Sequence, residues 1–390
     1  MFRSKTKNFP DPRKLFLVAL YIQLFSSVIE AQWTKGVQLD DGDMALDLAE
    51  ALTFRKYPTY VQYLEMMQGY ASEYPEICSL DTIGYSSEGR LLLALKISDQ
   101  VDEDEAEAAF LYSSTMHGNE IVGYVLLLRL ADTLLSGYGS DPELTALVNG
   151  LQIWINPMAN PDGSFSASNN LSLETAVRQN ARGIDLNRDF PVATLGEAND
   201  TAGRELETRN MMHFHSQKEF TLSANIHSGT EVVNYPWDDR EARHADDDWY
   251  RFISREYADE AMSVDPGYMW GWPEDGITNG WDWYLALGTR QDYVNYYLGG
   301  REVTLELSDE FLLPSVELEH HWNINQRSLT NSLNSVGILC RYGFGSGRAR
   351  HTPRMRSPRS LDIQWSFSRR PTDTSPTAMS NPARWRQPER

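Results

Sequence analysis

Strands and helices alternate along this chain, and the alternation predicts an α/β domain with a mixed, largely parallel central sheet flanked by helices. Short apolar runs at residues 91–97, 108–112, 151–155 and 220–226 have strand length and carry β-branched or aromatic residues. Longer stretches with helical spacing, 57–74 and 121–135, lie between them. Breaker-rich segments such as Asn156-Pro157 and Asn160-Pro161-Asp162-Gly163 close the strands. In such a sheet the functional loops gather at the strand C-termini.

Taken in order, an acidic opening at 40–51 precedes the helix expected over 57–74, which Pro75 stops. Residues 83–90 read as a turn between two strands, the second being 91–97. The strand 108–112 leads to His117-Gly118-Asn119-Glu120 and then to the helix 121–135. The strand 220–226 ends in His227-Ser228-Gly229, and Val303-Thr304-Leu305-Glu306-Leu307 is an apolar strand holding one carboxylate. No internal repeat is present. From about Arg341 the composition turns to Gly, Ser, Pro and Arg without periodicity, which predicts disorder.

With 390 residues and 41% hydrophobic content, the chain can bury one large core. The expected organisation is a signal peptide at 1–31, a catalytic domain at 32–340 and a basic tail at 341–390. In the first segment Arg3, Lys5, Lys7, Arg13 and Lys14 precede an apolar run at 15–24 that is short for a membrane span, and Ala31 offers a cleavage point. Removal of this segment would leave a secreted, extracellular or periplasmic protein without a membrane span. Cys78 and Cys340 permit at most one disulfide, and their pairing stays open. The net charge of −20 is uneven: residues 341–390 hold eleven arginines against Asp362, Asp373 and Glu389, a local +8 that leaves −28 on the rest. So acidic a body argues against nucleic-acid binding. The oligomeric state is not legible.

His117 and Glu120, three residues apart after a strand, can face one ion, although an acidic residue in a first helical turn explains the pair equally well. His227 at another strand end offers a third ligand. Two histidines and a glutamate with an open fourth position form a catalytic zinc arrangement, whereas calcium or magnesium would prefer oxygen ligands alone. His213, His215, His320 and His321 sit in polar, helix-like stretches and fit no ligand pattern. A zinc-bound imidazole needs a partner on its other nitrogen, for which Asp185 is the candidate. Glu306, alone in an apolar strand, is the candidate proton shuttle, an edge-strand residue facing solvent being the plainer alternative.

These motifs, with Asp185-Leu186-Asn187-Arg188, Glu207-Thr208, Gly276-Ile277-Thr278-Asn279-Gly280, Gln291-Asp292-Tyr293 and Thr304-Leu305-Glu306-Leu307-Ser308, stand in one order over roughly 57–340. In that order the chain resembles the funnelin-type zinc metallocarboxypeptidases, in the carboxypeptidase N/E/D/M subfamily. The resemblance implies one Zn²⁺ on His117, Glu120 and His227, with Glu306 as general base and acid. Arg178, nine residues before Asn187, would polarise the scissile carbonyl, and Asn187 with Arg188 would grip the terminal carboxylate of a peptide or protein. Tyr284, seven residues before Gln291, would close over the substrate. Asp238, eleven residues after His227, would pair with a C-terminal lysine or arginine, an ordinary loop aspartate being the alternative. Two departures stand out. Arg290 occupies the place of a methionine in the subfamily's Gly-Gly-Met and could neutralise Asp238 or repel a basic substrate. No transthyretin-like sandwich is recognisable after the catalytic region. Two other functions use parts of the same set: a zinc-dependent deacylase of N-acyl amino acids, and a silent binding module.

Overall fold

The computed structural model describes residues 39–103, 106–168, 170–271 and 275–341, with the side chains of 336–341 left out. The expected signal segment 1–31 lies outside the described residues, as does the tail beyond Arg341. Cys78 is a buried free cysteine, and the side chain of its candidate partner Cys340 is outside the description.

The principal elements are α1 (Tyr60–Glu73), β1 (Cys78–Tyr85), β2 (Leu91–Ile97), β3 (Ala108–Ser114), α2 (Val122–Gly137), α3 (Pro142–Val148), β4 (Leu151–Asn156), α4 (Leu206–Lys218), β5 (Leu222–His227), β6 (Thr230–Tyr235), α5 (Asp247–Val264), β7 (Ile277–Asn279), β8 (Glu302–Ser308) and α6 (Leu318–Arg341). The strands form one eight-stranded sheet in the order β1-β2-β4-β3-β5-β8-β6-β7. Its centre, β4-β3-β5-β8, is parallel, while β1-β2, β2-β4 and β8-β6 are antiparallel. The mixed, largely parallel sheet expected from the alternation is present.

Local sequence sets the element ends. Thr59 caps α1 reciprocally with Gln62, so this helix begins at Tyr60, later than periodicity alone placed it. Asp141 caps α3, with Pro142 at its first position. Residues 83–85 prolong β1 past an irregularity between Thr82 and Gly84, which confines the turn to 86–90. Glu120 is not in the first turn of α2: it precedes Ile121, the N-cap, and folds inward.

The sheet separates two chemistries. Leu222, Ala224 and Ile226 of β5 and Val303, Leu305 and Leu307 of β8 join one large apolar core with side chains from α1, α2, α5 and α6. The alternate residues Ser223, Asn225 and His227, and Glu302, Thr304 and Glu306, turn to the opposite face, where α4 and the long loops lie. Among the described residues no helix is long and apolar enough to cross a membrane.

Candidate active site and metal centre

His117 and Glu120 stand in the loop after β3, His227 closes β5, and their donor atoms converge. Nδ1 of His117 lies 2.8 Å from Glu120 Oε1, Nδ1 of His227 lies 2.6 Å from Glu120 Oε2, and the two Nδ1 atoms are 3.1 Å apart. All three side chains are buried, with one ligand atom of each within 4.8 Å of the others. Two imidazole nitrogens and a carboxylate aimed at one point form a donor set that fits zinc. The loop reaches this position because Gly118 packs on the turn Pro161–Ser164, where a Cβ would come 2.2 Å from the carbonyl carbon of Gly163.

Charged partners surround this cluster. Asp185 Oδ1 meets His117 Nε2 at 3.0 Å, and Asp185 Oδ2 accepts from Arg178 Nε at 3.0 Å. Arg178 Nη1 also donates to Glu120 Oε1 at 3.0 Å. Burial opposes charge on Glu120, yet His117 and His227 hold its carboxyl far below the usual carboxylate range. Burial opposes charge on Asp185 too, and His117 and Arg178 pull it well down. The two histidines differ. Burial and Arg178 work against an imidazolium at His117, but Glu120 and Asp185 raise its pKa. At His227 burial outweighs Glu120, and the pKa drops to about 4. A neutral imidazole is the form that binds metal.

Glu306 is the register partner of His227 on the neighbouring parallel strand, so pleating brings both to the same face. It is 9% exposed, which removes the solvent-facing edge alternative, and Oε2 is buried without a hydrogen-bond partner among the described residues. Burial, then the charge of Glu120, pushes its pKa well above the ordinary glutamate value against Arg178 and Arg188.

The expected clamp lies alongside. Arg188 Nη1 donates to the Asn187 carbonyl at 2.7 Å, and Nη2 reaches the Tyr284 hydroxyl at 3.5 Å. Tyr284 is 47% exposed, its ring edge-on to Trp283 and beside the Arg188 guanidinium. Asn187 Oδ1 accepts the backbone N–H of Arg290 at 3.0 Å.

Asp238 is buried and held by neutral donors: Thr289 Oγ1 at 2.7 Å, Asn234 Nδ2 at 3.1 Å and Gln291 Nε2 at 3.1 Å. Burial raises its pKa, and Arg188 is the cation that counters this. Gly280 makes room for it, since a Cβ there would sit 1.8 Å from Asp238 Oδ1. Neither expectation for Arg290 holds. Its side chain is fully buried beneath the sheet face and bonds to Glu302 and Ser113, so its charge is spent on Glu302 and not on Asp238. Asn225, whose amide lies 2.6 Å from His227 Nε2, was missed. Its signal was there in the period-two polar set Ser223, Asn225, His227 within an otherwise apolar strand.

Fold and site define an α/β protein with a buried metal centre of two histidines and one glutamate. The family model described as zinc carboxypeptidase matches residues 63–328. The chain is 36% identical over 288 residues to carboxypeptidase SOL1 of Arabidopsis thaliana, covering 72% of this chain and 56% of that protein. It is also 36% identical over 283 residues to carboxypeptidase D of Rattus norvegicus, covering 69% of this chain and 20% of that protein. Among solved structures, thrombin activatable fibrinolysis inhibitor superposes with a TM-score of 0.65 at 19% identity, over 76% of this chain and 78% of that one, a likeness of fold. The chain belongs to the zinc carboxypeptidase family. It spans only about half of the first relative and a fifth of the second.

Proposed function

We propose that residues 32–340 form a catalytic domain that hydrolyses the C-terminal peptide bond of peptides or proteins and releases one residue, preferentially lysine or arginine. His117, Glu120 and His227 would hold a zinc ion, which when bound would supply a Lewis acid and activate a water. Glu306 takes the proton from that water and delivers it to the leaving amine. The observation that carries this reading is the buried, unpartnered carboxyl of Glu306 in register with His227.

Arg178 stands beside Glu120, positioned to stabilise negative charge developing on the carbonyl oxygen. Asn187 and Arg188 bind the terminal carboxylate, Arg188 through its planar fork, which restricts cleavage to chain ends. Tyr284, in reach of Arg188, closes over the bound end. Asp238, buried among neutral donors, receives the cationic side chain. Export through the segment 1–31 belongs to the same proposal, and protein recovered from a secreting host should then begin near residue 32.

The test is incubation with peptides that differ only in the last residue, with and without a zinc chelator. Release of the final residue alone, fastest for Lys or Arg, stopped by chelation and restored by zinc, is expected. Internal cleavage, or release indifferent to the chelator, overturns the proposal.

A further inference from the structure

Behind the metal centre, on the sheet face that carries His227, runs a column of buried polar side chains. Ser223, Asn225 and His227 of β5 pair in register with Glu302, Thr304 and Glu306 of β8, and Ser113 of β3 stands opposite Asn225. All seven are buried. Arg290 enters this column from the start of a short helix, Arg290–Tyr293, that precedes β8. Its Nε donates to Glu302 Oε1 at 2.9 Å and its Nη1 to Ser113 Oγ at 2.5 Å. Ser223 Oγ donates to the other oxygen of Glu302 at 2.6 Å. Ser113 Oγ lies 3.4 Å from one atom of the Asn225 side-chain amide, and the other amide atom lies 2.6 Å from His227 Nε2. A continuous line of hydrogen bonds therefore joins a buried ion pair to the far nitrogen of a metal ligand.

Taking an arginine and a glutamate out of water is costly, and such a pair is poor evidence of stabilisation by itself. Its geometry points elsewhere. A guanidinium can only donate, so one lone pair of Ser113 is committed to Arg290. An imidazole that ligates through Nδ1 carries its proton on Nε2, so the Asn225 amide turns its oxygen to His227 and its NH2 to the remaining lone pair of Ser113. That arrangement pins the amide plane beside His227. The orientation of a metal-ligating imidazole is set by what its other nitrogen meets. His117 has the carboxylate of Asp185 for this purpose, whereas His227 has a neutral amide, which must itself be held.

We propose that the Arg290–Glu302 ion pair is a positioning element of the metal centre, acting through Ser113 and Asn225 to hold His227 in its ligating orientation. The inference rests on the reading of His227 as a metal ligand.

Zinc affinity, measured by competition with a chromophoric chelator, and the visible spectrum of the cobalt-substituted protein test it without reference to activity. The variants are Ser113→Ala and the double substitution Arg290→Met with Glu302→Gln, which leaves no lone buried charge. Both should weaken zinc binding by about 10- to 100-fold and shift the cobalt bands, as loss of outer partners does at metal sites. Wild-type affinity and spectrum in both folded variants overturn the proposal. If the double variant does not fold, Ser113→Ala decides alone. His227→Ala is the control: unchanged zinc binding there sinks the ligand assignment itself, a failure separate from that of the relay.

Discussion

Buried carboxylates stand both at the metal cluster and around Asp238, and the chain completes their charge differently at each end of the site. Around the metal cluster, Arg178 bridges Glu120 and Asp185, and His117 lies between the same two acids. Both carboxyls are driven below their usual range despite burial. Around Asp238, by contrast, neutral donors hold the carboxylate, and Asp292 accepts the backbone N–H groups of Asp238 and Asp239. There burial wins and both Asp238 and Asp292 are pushed up, Asp292 further by Asp238 and Asp239. One end is balanced from within the chain. At the other, Arg240 pairs with Asp239, and under the proposed function a basic substrate side chain would supply the charge facing Asp238.

The sharpest way to break this contrast is Glu306→Gln, which leaves the cluster's ligands intact but removes the proton carrier. Turnover should fall by about 10² to 10⁴ with unchanged zinc content by metal analysis, and a near wild-type rate would refute its role. Next comes Asp238→Ala. It should lower kcat/KM for peptides ending in Lys or Arg on the order of 10²-fold while sparing apolar ends. Equal loss on every peptide would mean that the pocket's negative charge is not read by the substrate. Arg188→Ala should cost about 10- to 100-fold, chiefly in KM, for free-acid peptides. Unchanged discrimination between free-acid and amidated ends removes it from the clamp.

A smaller effect sharpens the burial half of the comparison away from both ends. Glu231 is pushed to about 7 by burial, with Asp309 and Asp265 adding to it against a hydrogen bond from the Met269 backbone. Between the unfolded value near about 4.5 and that folded value, the native state holds a proton that the unfolded chain has lost. Glu231 therefore contributes stability at low pH that disappears as pH rises through 7. Urea unfolding of Glu231→Gln should show a flatter pH dependence from pH 4.5 to 8, and a slope identical to wild type rules the mechanism out.

Much of the site was readable before the fold. His117, Glu120 and His227 carry recognisable ligand chemistry at strand ends, and the structure brings their donor atoms together. Asp185 was expected on the far nitrogen of a ligand imidazole, and it meets Nε2 of His117. Arg290, expected near Asp238 from its place in the subfamily's Gly-Gly-Met, instead turns its backbone N–H to Asn187 and its side chain to Glu302 and Ser113. Asn225 escaped notice because Ser223, Asn225 and His227 were not read together as one polar face of the strand.

By itself, then, the sequence determined the strand and helix alternation and the inventory of ligands, carboxylates and guanidinium groups, since these follow from side-chain type and short-range periodicity. Only the tertiary structure decided that Glu306 stands beside His227, that Asp238 is ringed by neutral donors, and that Arg290 serves Glu302. Strand register and the partners of buried polar groups are settled by residues far apart in the chain, where each group must find its bond or bear the cost of lost water.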